Sequence, residues 1–335
     1  MNRAVRFHQT GGPEVLRLEE VPLPVPGPGE VLIRTRALGL NRAESMFRLG
    51  QYGTDPVFPS GVGYEAAGVV EALGDGVSGV GVGDAVSVVP AFSMTEYPVH
   101  GEAVLAPAHA VVVHPERLSF EEAASVWMQF ITAYGGLVDL AGVRAGDTVL
   151  ISAASSSVGL AAIQIARRAG ARPVALTRTG AKRQRLLDAG ADEVIATAEE
   201  DVAARVRELT SGEGARIVFD PVGGPALADL IDSAAHEATI VLYGLLDRTP
   251  TPLDVGTVLF KHLTIRGFEL FEITTDDRRR AEAVGYVRDG LATGELTPTI
   301  DTVFPLERIA DAHRALEAGG QVGKIVVTVP GDASV

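Results

Sequence analysis

The chain has 335 residues, 46% of them hydrophobic and 21% charged, with 38 Gly and 19 Pro, a composition that excludes fibrous and disordered classes. Lys and Arg number 29 against 43 Asp and Glu, a net charge of −14 whose field repels phosphate backbones. The absence of cysteine excludes disulfides, thiolate nucleophiles, iron–sulfur clusters and cysteine-ligated zinc.

The length predicts two domains, or one with an insertion. The one dense basic run, Arg278-Arg279-Arg280, follows Asp276-Asp277 and reads as a solvated helix start. No apolar run approaches the roughly 20 residues of a membrane helix. Residues 1–7 pass directly into an alternating strand pattern without a secretory apolar region, so a cytoplasmic protein is expected.

The first 120 residues read as β-rich. Short strands are predicted at 31–36, 67–73, 86–89 and 110–113, punctuated by Gly and Pro as in Val25-Pro26-Gly27-Pro28-Gly29. This pattern suits a small antiparallel barrel. From about Glu121 short apolar runs alternate with helical stretches. Strands are predicted at 148–152, 173–177, 193–195, 217–220, 239–244 and 263–267, with an Ala- and Ile-rich helix between the first two. That alternation predicts a doubly wound parallel sheet of the dinucleotide-binding kind. Beyond Phe268 come helices near 278–292 and 306–318 and a last strand at 324–329, a tail able to return to the first domain.

The first strand of the alternating region runs into Ala153-Ala154-Ser155-Ser156-Ser157-Val158-Gly159-Leu160, and a helix opens there. This is a degraded G-x-G-x-x-G, with Ala154, Ser156 and Gly159 at the three glycine places. Small residues there let backbone N–H groups at a helix N-terminus approach a pyrophosphate, although a Ser-rich turn of this kind is also an ordinary N-cap. About 20 residues further on, where an NAD site carries an acidic residue for the ribose, stand Thr177, Arg178, Thr179 and Lys182. Hydroxyls and cations suit a 2′-phosphate, so NADPH is the expected cofactor.

Ordered motifs along nearly the whole chain then identify a family. Gly12-Pro13-Glu14-Val15-Leu16, Gly39-Leu40-Asn41-Arg42-Ala43-Glu44, Gly63-Tyr64-Glu65-Ala66-Ala67-Gly68, Gly81-Val82-Gly83-Asp84, Thr132-Ala133-Tyr134, Asp220-Pro221-Val222-Gly223-Gly224 and Gly323-Lys324-Ile325-Val326 together resemble the medium-chain dehydrogenase/reductase superfamily, in its zinc-independent, zeta-crystallin-like quinone oxidoreductase branch. The resemblance implies an α/β fold: a Rossmann-type doubly wound parallel sheet domain beside a β-rich, GroES-like barrel catalytic domain. The expected boundaries are 1–122 for the first part of the catalytic domain, 123–265 for the nucleotide domain and 266–335 for the return.

In the zinc alcohol dehydrogenases of that superfamily the catalytic metal uses a Cys, a His and a second Cys. The matching places here hold Asn41, Tyr64 and Met128, none a usual zinc ligand. The seven histidines, at 8, 100, 109, 114, 236, 262 and 313, show no H-E-x-x-H spacing and read as surface or core residues. No zinc or other metal is therefore expected. Without a Lewis acid, acceptors that take hydride by conjugate addition are favoured, namely quinones, enones, enals and enoyl thioesters.

Carried over by position, Thr132 holds the nicotinamide carboxamide, and Gly244, Leu245, Phe268 and Leu270 line the nicotinamide side. Ser156, Ser157, Val158 and Gly159 meet the pyrophosphate, and Thr177, Arg178 and Lys182 the 2′-phosphate. Asn41, Tyr52 and Tyr64 are the polar candidates for catalysis, Tyr52 orienting a carbonyl oxygen or donating a proton. A small-molecule acceptor is implied, with neither nucleic acid nor membrane as partner, and a homodimer built through 239–243, Thr239 to Tyr243, as an edge strand. Three departures stand out: Ser155-Ser156-Ser157 in a loop usually richer in glycine, Thr197 where the family commonly has a Tyr near the adenine, and an unusual Met94-Thr95-Glu96-Tyr97-Pro98-Val99 segment. Two alternatives stay open at this point: a trans-acting enoyl reductase of secondary metabolism, and a non-catalytic NADPH-binding protein.

Overall fold

The computed structural model describes residues 2–330. The chain divides into two compact units, one made of residues up to Met128 and from Pro298 on, the other of Gln129–Thr297.

The first unit opens with β1 (Asn2–Phe7), β2 (Arg17–Val21), β3 (Glu30–Gly39), β4 (Ser60–Gly61), β5 (Glu65–Leu73), β6 (Ala85–Val88), β7 (Ala103–Pro107) and β8 (Val111–Val113). The longest of these, β3, pairs antiparallel with both β5 and β7. Val31, Leu32 and Ile33 are buried in succession because β3 is interior, whereas β2 pairs only β1 and stays largely polar. Phe7 from β1 packs edge-on against Phe47 and Phe58, with ring centroids 5.8 and 5.7 Å away.

The second unit carries β9 (Thr148–Ile151), β10 (Arg172–Thr177), β11 (Glu193–Ala196), β12 (Ala215–Asp220), β13 (Ala234–Leu242) and β14 (Thr264–Gly267). All pair in parallel in the order β11-β10-β9-β12-β13-β14. Every residue of β9 is buried, as a central strand covered on both faces requires. The chain then returns to the first unit as β15 (Ile300–Pro305) and β16 (Lys324–Thr328), and β16 pairs antiparallel with β3.

Three features differ from the sequence expectation. The return begins at Pro298, not at residue 266, because β14 pairs with β13 and the helix Asp277–Thr293 stays with the second unit. Arg168 holds that helix, donating to the Tyr286 carbonyl at 2.8 Å with its guanidinium 4.2 Å from the Tyr286 ring centroid. The first boundary falls at Met128, inside the helix Trp127–Tyr134, rather than at 122. The strand through Thr239 and Tyr243 is also not an edge: Ile240 pairs Val218 on one side and Ile265 on the other. Its apolar run reflects interior burial, and the sheet's edges are β11 and β14. Among the described residues no helix is long and apolar enough to cross a membrane.

Candidate functional site

In a doubly wound sheet the chain reverses direction between its first and fourth strands, and ligand-binding loops gather at the carboxyl ends of the strands. Nearly all the residues nominated for the cofactor lie at those ends here. After β9 the chain enters the loop with Ala153 in the left-handed region (φ 45°), a conformation that strains a residue bearing a Cβ. Ser156 caps the helix Ser157–Arg168, its Oγ accepting from the Gly159 N–H at 3.0 Å. The N-cap and the phosphate-loop readings of this turn thus fall on the same residue. Gly159 has no room for a side chain: a Cβ there would lie 2.6 Å from the Ala154 backbone, so only glycine lets the helix start this close to the loop. Ser157 and Val158 open the first turn and are half-buried.

At the end of β10, Thr177 is half-buried and Arg178 exposed. Lys182 lies over the serine loop, donating from Nζ to Ser155 Oγ at 3.1 Å. A carboxylate arrives at the same end from the neighbouring strand: the loop after β11 turns back so that Glu199 accepts from the Gly180 N–H at 3.1 Å. The stretch between Asp147 and Asp188 lacks a carboxylate in sequence, yet the parallel pairing supplies one from the adjacent β-strand's loop.

Asp220 ends β12 fully buried, accepting from Ser152 Oγ and from the Val222 and Gly223 N–H groups at 3.2 and 2.8 Å. It fixes the turn against which Gly244 lies, where a Cβ would come within 3.0 Å of Pro221. Leu245 follows with 46% of its surface exposed, while Phe268 and Leu270, after β14, are buried. The Phe268 ring fills the space that a side chain at Gly135 would need, at the end of the helix that carries the buried Thr132.

Two of the polar candidates of the first unit, Asn41 and Tyr64, meet in one buried network, and Tyr52 stands half-buried beside it. Asn41 precedes the helix Arg42–Arg48, and its amide Nδ2 donates to Glu44 and Glu65, each at 3.1 Å, and to the Gly39 carbonyl at 3.3 Å. Its Oδ1 accepts from Lys324 Nζ at 2.5 Å, and Lys324 also pairs with Glu65. Glu65 accepts from the Met128 N–H at 2.9 Å, and Glu44 from the Tyr64 N–H at 3.3 Å. The three positions that the resemblance matches to metal ligands, Asn41, Tyr64 and Met128, are therefore tied together by two carboxylates and one ammonium. Burial pushes the Tyr64 phenol well above its ordinary range, so it stays protonated; its ring centroid is 6.5 Å from that of Tyr52. Glu44, Glu65 and Lys324 carry no role in the sequence reading; the signal for Glu65 and Lys324 was a charged residue at the head of an otherwise apolar strand, and Glu44 sits in a polar helix turn.

Burial also raises Glu44 to about 7, and lowers His100 to about 3 and His313 well below the ordinary value. The native Glu44 keeps a proton that the unfolded chain loses, so its contribution to stability disappears as pH rises from about 4.5 to about 7. The histidines act oppositely: the unfolded chain takes up protons below its ordinary value near 6.5 that the native state refuses, so stability is lost as pH falls. Glu44→Gln removes the opposing contribution. Its stability is expected to rise more steeply with pH than the parent's between about 4.5 and 6.5, by up to about 1.4 kcal/mol per pH unit. Denaturant titrations across that range in chelator-containing buffer check it; equal slopes refute it.

The doubly wound sheet with its serine loop, and the separate β-rich unit with its buried polar network, define a two-part nucleotide-dependent oxidoreductase. Family models agree: one described as Alcohol dehydrogenase GroES-like domain matches residues 27–153, and one described as Zinc-binding dehydrogenase matches 157–283. The human quinone oxidoreductase is 32% identical over 97% of both chains. A solved Escherichia coli quinone oxidoreductase complexed with NADPH superposes with a TM-score of 0.89 at 29% identity, covering 98% of this chain and 100% of its own. A solved NAD-dependent alcohol dehydrogenase gives 0.87 at 33%, with coverage of 98% and 100%. The chain belongs to the medium-chain dehydrogenase/reductase superfamily, in its quinone oxidoreductase branch.

Proposed function

We propose that this enzyme is an NADPH-dependent reductase of quinones or α,β-unsaturated carbonyls that uses no metal at the acceptor. The observation that carries the reading is the closed network around Asn41, Tyr64 and Met128, where an amide, a phenol and a thioether stand in place of two thiolates and an imidazole. One family description mentions zinc, but this donor set does not suit it. The names of the relatives support a quinone acceptor and NADPH.

The residues present fit the cofactor: a capped helix N-terminus, small loop residues and a glycine at the close approach. When bound, NADPH supplies the hydride. Ser156, Ser157, Val158 and Gly159 hold the pyrophosphate, and Thr177, Arg178 and Lys182 the 2′-phosphate. Thr132, Gly244, Leu245, Phe268 and Leu270 orient the nicotinamide. Both ends of the Asn41 amide are engaged, so Asn41 is a positioning residue, fixing the segment from Gly39 to Glu44. Tyr52 is the donor to the acceptor oxygen, with Tyr64 as its neutral neighbour.

The test follows NADPH oxidation against quinones, enals, enones, enoyl thioesters and saturated ketones, with and without a chelator. Turnover of conjugated acceptors unaffected by the chelator is expected. Loss of activity under chelation in protein whose circular dichroism is unchanged overturns the metal-free reading, and absence of any turnover favours the non-catalytic alternative.

Cofactor choice has its own test, made pointed by Glu199 and by the NAD-dependent structural relative. Arg178→Ala or Lys182→Ala is expected to weaken NADPH binding about 10–100-fold, with little change for NADH. Calorimetric titration of both cofactors reads it, and parallel losses show that these cations do not read the phosphate.

Assembly as a homodimer is proposed through β14 instead of the interior strand. Near that edge Leu259 and Phe260 are 63% and 78% exposed, an apolar surface that a second copy would cover. Light scattering at micromolar concentration is expected to give twice the mass of one chain; the mass of one chain removes the proposal.

A further inference from the structure

One buried polar cluster of the first unit shares Glu44 with the network around Asn41 and Tyr64, while its two histidines have no part in the proposed reduction. His100 lies shortly before β7, its backbone bonded to Val62 and Val5 at 3.0 and 2.9 Å. His313 comes from the middle of the helix Ile309–Ala318, and Glu44 from the helix Arg42–Arg48. One ligand atom from each of the three lies within 4.8 Å of the other two, and all three side chains are essentially fully buried. His100 Nε2 is 3.9 Å from Glu44 Oε1.

All four imidazole nitrogens lack a hydrogen-bond partner of good geometry, although the Gly39 carbonyl is close enough to His100 to favour its protonated form slightly. Leaving a buried donor or acceptor unmet typically costs about 1–3 kcal/mol, so two such rings facing one carboxylate call for an occupant. The backbone is shaped to admit His100: Gly63, at φ 113°, has no room for a Cβ, which would lie 2.1 Å from the imidazole. We propose that Glu44, His100 and His313 form a buried structural site for one first-row divalent cation of the zinc or cobalt class.

The donor chemistry fits, since imidazole with one carboxylate selects such ions and three protein ligands leave a position for water. The charges around the cluster fit as well. Lys324, which faces Glu44 and His100, is paired with Glu65, and Arg48, which faces His313, is paired with Glu317, so each neighbouring cation has its own carboxylate. Bonds of about 2.0–2.1 Å in a tetrahedron put ligand atoms about 3.3 Å apart, so binding draws the three side chains inward by roughly an ångström. A cavity of about 290 Å³ lined by Pro59, Ser60, Gly61, Pro98 and His100 borders one of the three residues. This reading does not depend on the proposed reductase activity.

The test loads the full chain with Co²⁺ during expression and removes loose metal by desalting, followed by elemental analysis and visible absorption. A second cluster, the exposed His236, Glu237 and His262, also offers ligands to added metal, so the work is done in a His262→Ala background. One cobalt per chain is expected, with the intense visible bands of a four- or five-coordinate site, and a fall to below a tenth of that in His100→Gln and in His313→Gln. Should either variant fail to fold by circular dichroism, the parent's own paramagnetically shifted resonances must show two coordinated imidazoles. Substoichiometric cobalt, which would mean a buried water only, overturns the proposal. So does cobalt retained equally in both glutamine variants, or cobalt lost on His262→Ala alone.

Discussion

Lys324→Met is expected to cost about 3–5 kcal/mol of folding stability, because it leaves the Glu65 carboxylate buried without its cation. Both side chains are about 1% exposed, so water cannot replace the lost ammonium. The loss spreads further, since Lys324 also holds Asn41 Oδ1, and Glu65 holds the Met128 N–H. The companion Glu65→Gln strands the ammonium instead and is expected to be comparably damaging. Combining the two replaces an ion pair by groups that need far less solvation, and the double variant is expected to regain a large part of the loss. Urea titrations of the four proteins check this. Additive losses would mean that the ammonium and the carboxylate act independently, contrary to the network described here.

That network also marks where the sequence stops being informative. The second unit was readable because each parallel strand is covered on both faces and must be a short apolar run, and because the helices between them keep their own apolar period. The serine loop was readable because a strand, small residues and a helix start stand next to one another in the chain. Lys324, by contrast, meets Asn41 and Glu65 across separations of 283 and 259 residues, and no local pattern encodes such a meeting. Glu199 reaches the end of β10 for the same reason: strand order, not sequence distance, brings it there. Strand order also explains the misassigned edge. An apolar run such as Ile240-Val241-Leu242 looks identical whether its neighbours are two strands or one, and only the pairing with both β12 and β14 decides. The polar β2, Arg17-Leu18-Glu19-Glu20-Val21, was missed because a strand paired on one side needs little apolar surface.

The chemistry itself is tested by comparing an enone with its saturated ketone. Charge arriving on an enone is delocalised over an enolate, which one or two hydrogen bonds can support. Charge arriving on a saturated ketone is an alkoxide, and losing a metal's stabilisation of it costs several kcal/mol. At about 1.4 kcal/mol per tenfold in rate, the saturated ketone is expected to turn over at least about a hundredfold more slowly. Deuterium from C4-labelled NADPH is expected at the β-carbon of the product, with the α-hydrogen drawn from solvent. Tyr52→Phe separates binding from chemistry: its hydroxyl matters chiefly as enolate charge develops, so kcat is expected to fall about 10–100-fold while NADPH affinity stays near the parent's. The buried Tyr64 phenol beside it, held protonated by burial, preserves the local packing in the variant. A saturated ketone that proves the better substrate, or product that never carries the label, rules out conjugate reduction as the reaction of this enzyme.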